Sequence, residues 1–475
     1  MSQPHPSAQV KLARPQPTVM KFGGTSLADT VGFERVQQIV RDYREWQPVV
    51  VVSAMSRVTD ALVESFRAAQ SGEIAAAEHI IDEIAWRHLV VARDLLTVMY
   101  EAAAREIIIA RDEISALLRE AAASHSPSPA LKDLIVSYGE QLSATMLVVV
   151  LMENKLPAKH IDARRCIVTD GNHGNAEPLL DKSEQHTRAA LEPLVDAFII
   201  PVLGGFIGIS EDGETTTLGR NGSDYTASII GSALNAREIQ IWTDVPGVLT
   251  ADPRLVEGAR TVPQLSYAEA AEMARFGAKV LHHKMVQPAA KRRIPLHVRN
   301  TLAREVSGTL VCSQGGQSAT RIKAIAHRTD LAVLHLTSVH PVLSDSHLGI
   351  LLRTLSHHHV EIYAMVASTT SATFMVEGAS LLPLLVEDLK EMANVNILGR
   401  CAGVYIIGGS LSCVPDILKQ LHEMFADSEQ VLTSQFTCNN NLILAVAGGR
   451  VDEVVTCLHS IFVEEGAWVQ QTSDE

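Results

Sequence analysis

The chain has 475 residues, of which 47% are hydrophobic and 20% charged, and its formal net charge is −14. That length calls for two or three domains, and the composition is globular rather than disordered. The acidic balance, with no basic stripe to offset it, argues against nucleic acid as the main partner. The longest apolar stretches, Leu147–Met152 and Phe198–Ile209, are too short to span a bilayer. The first residues, MSQPHPSAQVKLARPQPT, lack the apolar core of a signal peptide. Six cysteines with no CxxC fit buried or incidental thiols in a reducing compartment, so a cytoplasmic protein with no membrane partner is expected.

In chain order, residues 1–17 carry four prolines and no apolar period, which predicts a loose tail. Short apolar runs then alternate with helical patterns: a strand over Thr18–Phe22, a helix from Thr30 to Tyr43, and the all-valine strand Val49–Val52. Such runs suit strands buried on both faces, and the helices between them imply parallel crossovers. A largely helical stretch from Asp60 to Glu120, broken at Ser71-Gly72, closes at the prolines of SHSPSP, 124–129. Further strands are predicted at Ala158–Asp162, Ala197–Leu203 and Glu238–Thr243, giving an α/β sandwich that ends near Thr301.

The small, polar run SQGGQSAT, 313–320, reads as a linker. Beyond it the pattern gives strand Ala332–Leu336, helix His347–Ser356, strands Glu361–Ala367 and Ala372–Glu377, helix Leu381–Met392 and a strand near Val395–Leu398. The order then repeats with strand Val404–Gly409, helix Pro415–Phe425, strands Val431–Phe436 and Leu442–Ala447, helix Val451–Phe462 and strand Trp468–Gln471. Two tandem βαββαβ patterns predict two ferredoxin-like units.

Chemistry gathers at the ends of the first strands. Strand Thr18–Phe22 runs into Gly23-Gly24-Thr25-Ser26, a turn that can bare N–H groups toward a phosphate, with Lys21 placed to reach the same oxygens. The same turn also reads as a plain strand–helix connection capped by Thr25 or Ser26. No GxxxxGK[ST] and no strand-borne GxGxxG occurs, which removes the P-loop and dinucleotide classes. A second glycine cluster, GGFIG at 204–208, follows a strand where open α/β sheets bind ligands. TTTLGRNGSDYTA, 215–227, sets Arg220, Asn221, Ser223 and Asp224 before a helix, where Ser223 or Asp224 could equally be caps. IWTDVPGVLTADPR, 241–254, ends a strand in Thr243-Asp244, a hydroxyl and a carboxylate suited to nucleotide or Mg²⁺-shell contacts. FGAKVLH, 276–282, offers Lys279 in an apolar context, where a snorkelling surface lysine is the alternative.

KFGGTS, SYGEQLSA at 137–144, GGFIG, TTTLGRNGSDYTA, WTDVPGV, ADPR and FGAKVLH together resemble the aspartate kinases of the amino-acid kinase superfamily. The order and spacing match over residues 18–312, and the tandem repeat resembles that family's paired ACT domains. The GRNGSDY form is similar to the kinase half of bifunctional aspartokinase–homoserine dehydrogenases, but no dinucleotide-binding segment follows, so the chain looks monofunctional. The resemblance implies a catalytic domain over 18–312, a linker over 313–322, and ACT domains over 323–400 and 401–475. It also implies transfer of the γ-phosphate of ATP, bound with Mg²⁺, to the side-chain carboxylate of L-aspartate, the first step toward lysine, threonine and methionine.

By the same resemblance Lys21 would stabilise the transferring phosphoryl group, Gly23 and Gly24 would line it, and Asp224 would hold the lysine. Arg220 would grip the substrate α-carboxylate and Glu140 its ammonium, with Thr59 and Ser223 completing the pocket. Thr243, Asp244, Arg254, Lys279 and Val280 would contact the nucleotide. Three positions depart from the family pattern: Asn221 for a glycine, Leu249 for a tyrosine and His283 for a proline.

Ser344, Asp345, Ala367 and Ser368 match the family's effector positions in the first ACT domain. Tyr363 and Thr369 stand where lysine-inhibited members carry acids, so weak or absent lysine inhibition is expected, with threonine the better candidate effector. A homodimer or homotetramer through the ACT domains is implied; the repeat could also serve only as an interface. The run His357-His358-His359 lacks metal-ligand spacing and reads as a polar helix end, so no protein-bound metal is expected. The readings in competition are another amino-acid kinase acting on glutamate or acetylglutamate, and a catalytically inactive amino-acid sensor.

Overall fold

The computed structural model describes residues 16–124, 128–277, 281–314, 322–339, 345–358, 360–377, 382–390, 393–409, 431–438 and 441–464. Nearly all of the expected tail, most of the linker, helix Pro415–Phe425 and strand Trp468–Gln471 fall outside these residues, as do Lys279, Val280, Ser344 and His359. Two compact units emerge, one from Met1–Val245 with Lys284–Val306 and one from Pro246–His283 with Ser307–Glu475.

In the first unit, strands β1 (Thr18–Phe22), β2 (Val49–Val52), β3 (Ala158–His160), β4 (Val168–Thr169), β5 (Ile200–Gly204), β6 (Ile207–Ser210), β7 (Thr215–Thr217) and β8 (Glu238–Thr243) form two sheets. The main sheet runs β3-β5-β2-β1-β8 followed by Leu296–Asn300, and every pairing is parallel. Helices α1 (Thr30–Asp42), α2 (Val58–Gln70), α3 (Ile74–Leu95), α4 (Tyr100–Ala123), α5 (Pro129–Glu153), α6 (Leu180–Asp196) and α7 (Gly222–Ala233) cover it.

Alternation along the strands explains the layers. Met20, Phe22, Val50, Val52 and Val202 join one core with α1 to α5. On the other face Gly231 of α7 lies so close to Ile239 and Val19 that a Cβ would come within 2.5 Å of the Ile239 side chain. The predicted α/β sandwich is therefore present, with strand Glu238–Thr243 at its expected bounds.

The helical stretch breaks twice, at 71–73 as expected and again at 96–99. The second break is held from outside: Glu153, at the end of α5, accepts the backbone N–H groups of Thr97, Val98 and Met99 at 3.0–3.2 Å. Those bonds, Val98 first, hold its carboxyl below the usual range. Helix α5 is long and apolar enough to cross a membrane, unlike the shorter runs singled out in the sequence, yet 78% of its apolar window is buried inside the protein.

The second unit holds one antiparallel sheet over two cores. Strand Ile322–Ser338 pairs with both Ser371–Glu377 and Ala393–Gly408, which pairs in turn with Asn441–Ala447. The expected strand at Ala332–Leu336 thus begins at Ile322, because an exposed kink at Thr329 and Asp330 interrupts an otherwise buried run. Its first half, Ile322 and Ile325, packs with Ala402, Val404, Leu444 and helix Val451–His459. Its second half, Ala332 to Leu336, packs with Leu351, Leu355, Phe374 and Leu385. The first ferredoxin-like core is therefore inserted between strands of the second rather than simply preceding it. Ala251 and Val256 join the core of the second, which is why Pro246–His283 groups with this unit instead of ending with the predicted catalytic block at 312.

Candidate active site at the carboxyl edge of the parallel sheet

The register places Phe22, Val52, Gly204 and Trp242 side by side, so the residues after them leave the sheet at one edge. Ligands of parallel sheets bind at that edge. Lys21 Nζ lies 2.7 Å from Asp224 Oδ1, and both side chains are about one-tenth exposed. Asp224 sits in the first turn of α7, which opens at Asn221 with φ +56°, a conformation asparagine accepts readily. The glycine-to-asparagine departure is thus compatible with the local backbone.

Glu140, in mid-α5, is fully buried; its Oε1 accepts the Ala54 N–H at 3.2 Å, while Oε2 has no hydrogen-bond partner among the described residues. Burial pushes its carboxyl up to about 8, with the Ala54 bond and the Lys21 charge opposing the shift. An unpaired buried carboxylate oxygen is a receptor for a cation.

Close backbone approach joins these pieces. A Cβ on Gly24 would lie 2.7 Å from the Ala54 carbonyl, and one on Gly204 would lie 2.8 Å from Glu140 Cβ. A Cβ on Gly205 would lie 2.5 Å from Ser223 Cα. Gly205→Ala is accordingly expected to lose about 1–3 kcal/mol of stability and to displace Ser223; a thermal melt registers the first and a crystal structure of the variant the second. Ser223 is buried, Thr59 half-buried at the start of α2, and Arg220 exposed, making no ion pair with any described residue.

One expected phosphate donor is otherwise engaged. The Gly23 N–H donates to the Trp242 carbonyl at 3.1 Å, stitching β1 to β8, so the short helical turn that supplies free N–H groups begins at Gly24. Ser26, read in the sequence as a possible cap of this turn, instead shares a 2.7 Å hydroxyl bond with Thr301 at the same sheet edge.

The Amino acid kinase family profile matches residues 16–300. Lysine-sensitive aspartokinase 3 of Escherichia coli K12 is 33% identical over 454 residues, covering 94% of this chain and 99% of that protein. An aspartokinase of Chlamydia muridarum is 30% identical over 399 residues, covering 83% of this chain and 86% of that one. The chain belongs to the amino acid kinase family, among the aspartokinases. The crystal structure of E. coli aspartokinase III with aspartate and ADP aligns at TM-score 0.83 and 32% identity, over 94% of this chain and 99% of that one. The same enzyme with lysine and aspartate aligns at TM-score 0.73 and 31% identity, with the same coverage.

The remaining expected positions are distributed as follows in this aspartokinase. Thr243 donates its hydroxyl to Asp244 at 3.1 Å, at the end of β8. Arg254 belongs to the second unit and forks onto Asp252, whose carboxyl the guanidinium holds down at about 2. Ala367 ends strand Ile362–Ala367, and the Ser368 hydroxyl lies 3.0 Å from that of Ser371 across the turn. Asp345 begins helix Asp345–His357. Tyr363 donates to Glu361 at 2.9 Å, so a carboxylate does stand near that strand, on a residue the sequence comparison did not single out. His358 pairs with Asp388 at 2.6 Å, a surface contact, and no metal-binding cluster occurs among the described residues.

Proposed function

We propose that this aspartokinase transfers the γ-phosphoryl group of ATP to the side-chain carboxylate of L-aspartate, giving 4-phospho-L-aspartate and ADP. The observation that carries the reading is the buried Lys21–Asp224 pair at the sheet edge, joined through Ala54 and Gly24 to the half-satisfied carboxylate of Glu140. A carboxylate nucleophile is already ionised near neutrality, so no general base is required. An oxygen of that carboxylate forms the new P–O bond as the bond to the ADP oxygen breaks. The difficulty is bringing two anions into line, and positioned positive charge is what lowers it.

Lys21 supplies that charge to the phosphoryl oxygens, and Asp224 fixes its ammonium in place. Glu140 takes the substrate ammonium and Arg220 its α-carboxylate, with Ser223 and Thr59 at the pocket wall. Gly24 lines the phosphoryl group, with Gly23 supporting the turn from behind. Thr243, Asp244, Arg254, Lys279 and Val280 serve the nucleotide. Mg²⁺ accompanying the ATP would lie near Thr243 and Asp244 and would supply positive charge that offsets that of the phosphates. The donors here suit that arrangement: Thr243 and Asp244 offer oxygen ligands, while the described residues build no cage of their own.

ADP release with ATP, Mg²⁺ and each of L-aspartate, L-glutamate and N-acetylglutamate tests the assignment. Turnover with aspartate is expected to dominate; turnover led by glutamate or its acetyl derivative would overturn it, and no turnover with retained amino-acid binding would favour an inactive sensor. The intact Lys21, Asp224 and Glu140 speak against that second reading.

The reading extends to a cytoplasmic homodimer or homotetramer, associated through the C-terminal sheet, in which that sheet senses an amino acid. Tyr363 and Thr369 lack the charge needed to pair a lysine ammonium, so L-lysine is expected to leave ADP release nearly unchanged while L-threonine lowers it. Inhibition by lysine in the same assay would show instead that another carboxylate, Glu361 being at hand, completes the pocket.

A further inference from the structure

Helix α5 carries a second buried carboxylate, Asp133, that takes no part in the proposed chemistry. It precedes Glu140 by seven residues, two helical turns, so both sit on one face of α5. Its Oδ2 accepts the backbone N–H groups of Gly174 and Thr217, each at 2.8 Å. Its Oδ1 accepts the Thr217 hydroxyl at 2.9 Å. His173 Nδ1 lies 3.4 Å away, and its other ring nitrogen lies 3.1 Å from Glu214.

These partners flank the segment that delivers Arg220. Thr217 ends β7, and the chain passes through Leu218 and Gly219 directly to Arg220. Gly219 has φ +74°, and a Cβ there would lie 2.7 Å from Asn175 Oδ1 and 3.3 Å from the Gly174 carbonyl. The Ala176 N–H donates to the Thr217 carbonyl at 2.9 Å, closing the bracket. One carboxylate therefore holds both the strand that leads into Arg220 and the turn on which Gly219 is seated. Arg220 is exposed and pairs with no described residue, so its backbone is what sets its place.

An α-amino acid presents its ammonium and its carboxylate at a fixed separation, and recognising both requires receptors at a matching separation. Glu140 projects from α5 itself, and Asp133 ties the Arg220 segment to the same helix. We propose that Asp133 is a positioning residue for aspartate binding, holding the Arg220 segment at a fixed distance from Glu140. The proposal rests on the reading that Arg220 grips the α-carboxylate.

The test is steady-state kinetics on the full chain, varying aspartate at saturating ATP and the reverse, with a thermal melt for each variant. Asp133→Ala is expected to raise KM for aspartate about ten-fold, leaving kcat and KM for ATP within about two-fold. Asp133→Asn should restore most of the loss, since its amide oxygen can accept both N–H groups while its NH₂ donates to the Thr217 hydroxyl. Thr217→Val, which removes only the hydroxyl, should raise KM for aspartate about three-fold and serves if Asp133→Ala does not fold. Unchanged KM for aspartate in the soluble variants, with Arg220→Ala raising it, overturns the proposal and leaves the function intact. Parallel losses in kcat and both KM values with a lowered melt also overturn it, since they mark a general folding role. If Arg220→Ala leaves KM for aspartate unchanged, the assignment of Arg220 fails and the proposal fails with it.

Discussion

Lys21→Ala is expected to lower kcat by about 10²–10³-fold, the scale on which a single positioned transition-state donor acts. KM for aspartate should move little if Lys21 meets the phosphoryl group, as proposed, rather than the amino-acid ends of the substrate. The substitution also leaves Asp224 buried beside an apolar gap, since the 2.7 Å pair is its ion-pair partner and both side chains are about one-tenth exposed. Breaking one side of such a buried pair costs about 3–5 kcal/mol, so the variant should melt well below the parent. The double variant Lys21→Met, Asp224→Asn separates the two effects. It removes the stranded charge and should recover much of the stability without recovering turnover. ADP release and a melt on the three proteins decide the matter; a Lys21→Ala protein keeping more than about a tenth of kcat would remove Lys21 from the chemistry.

The parts of this site legible in the sequence are those whose cause is local. Val49–Val52 is buried throughout and a bare apolar run is sufficient signal for it, while Glu238–Thr243 is marked by the β-branched and aromatic residues Ile239, Ile241, Trp242 and Thr243. Lys21, Arg220 and Asp224 stand out because charge close to glycine at strand or helix ends is unusual in a structural turn, whereas Glu140, in the middle of α5, is picked out only by the family resemblance. The rest depends on contacts between residues far apart in the chain. Glu153 caps the 97–99 turn, Asp133 reaches Thr217, and Ser26 meets Thr301, and none of these pairs leaves a local pattern. Gly205 looks like any loop glycine until Ser223 is seen against it. The inserted order of the two C-terminal cores was hidden for a related reason. The kink at Asp330, φ +61°, divides one strand into halves that serve different cores, so only the second half keeps an apolar run long enough to read.

As the proposed receptor of the substrate ammonium, Glu140 would make aspartate binding sensitive to pH in a direction its burial fixes. With its carboxyl raised to about 8, the unliganded pocket is mainly protonated at neutral pH. An ammonium group binds the ionised form, so aspartate binding releases a proton from Glu140. KM for aspartate should therefore fall about ten-fold per pH unit as pH rises toward about 8 and level off above it, while KM for ATP stays flat. Glu140→Gln should raise KM for aspartate by about 10²-fold, because the substrate cation is left facing a neutral amide, and should abolish the slope. The same group predicts the stability of the unliganded protein. A carboxyl that binds its proton more tightly when folded stabilises fully below its ordinary value of 4.5. That contribution declines by about 1.4 kcal/mol per pH unit until pH reaches about 8. Melts across this window should show the decline in the parent and its absence in Glu140→Gln, whose amide oxygen can still accept the Ala54 N–H. Saturating aspartate should flatten the parent's curve, because the bound ammonium stabilises the charged form. A pH-independent KM in the parent, with Glu140→Gln unchanged, would place the ammonium receptor elsewhere in the pocket.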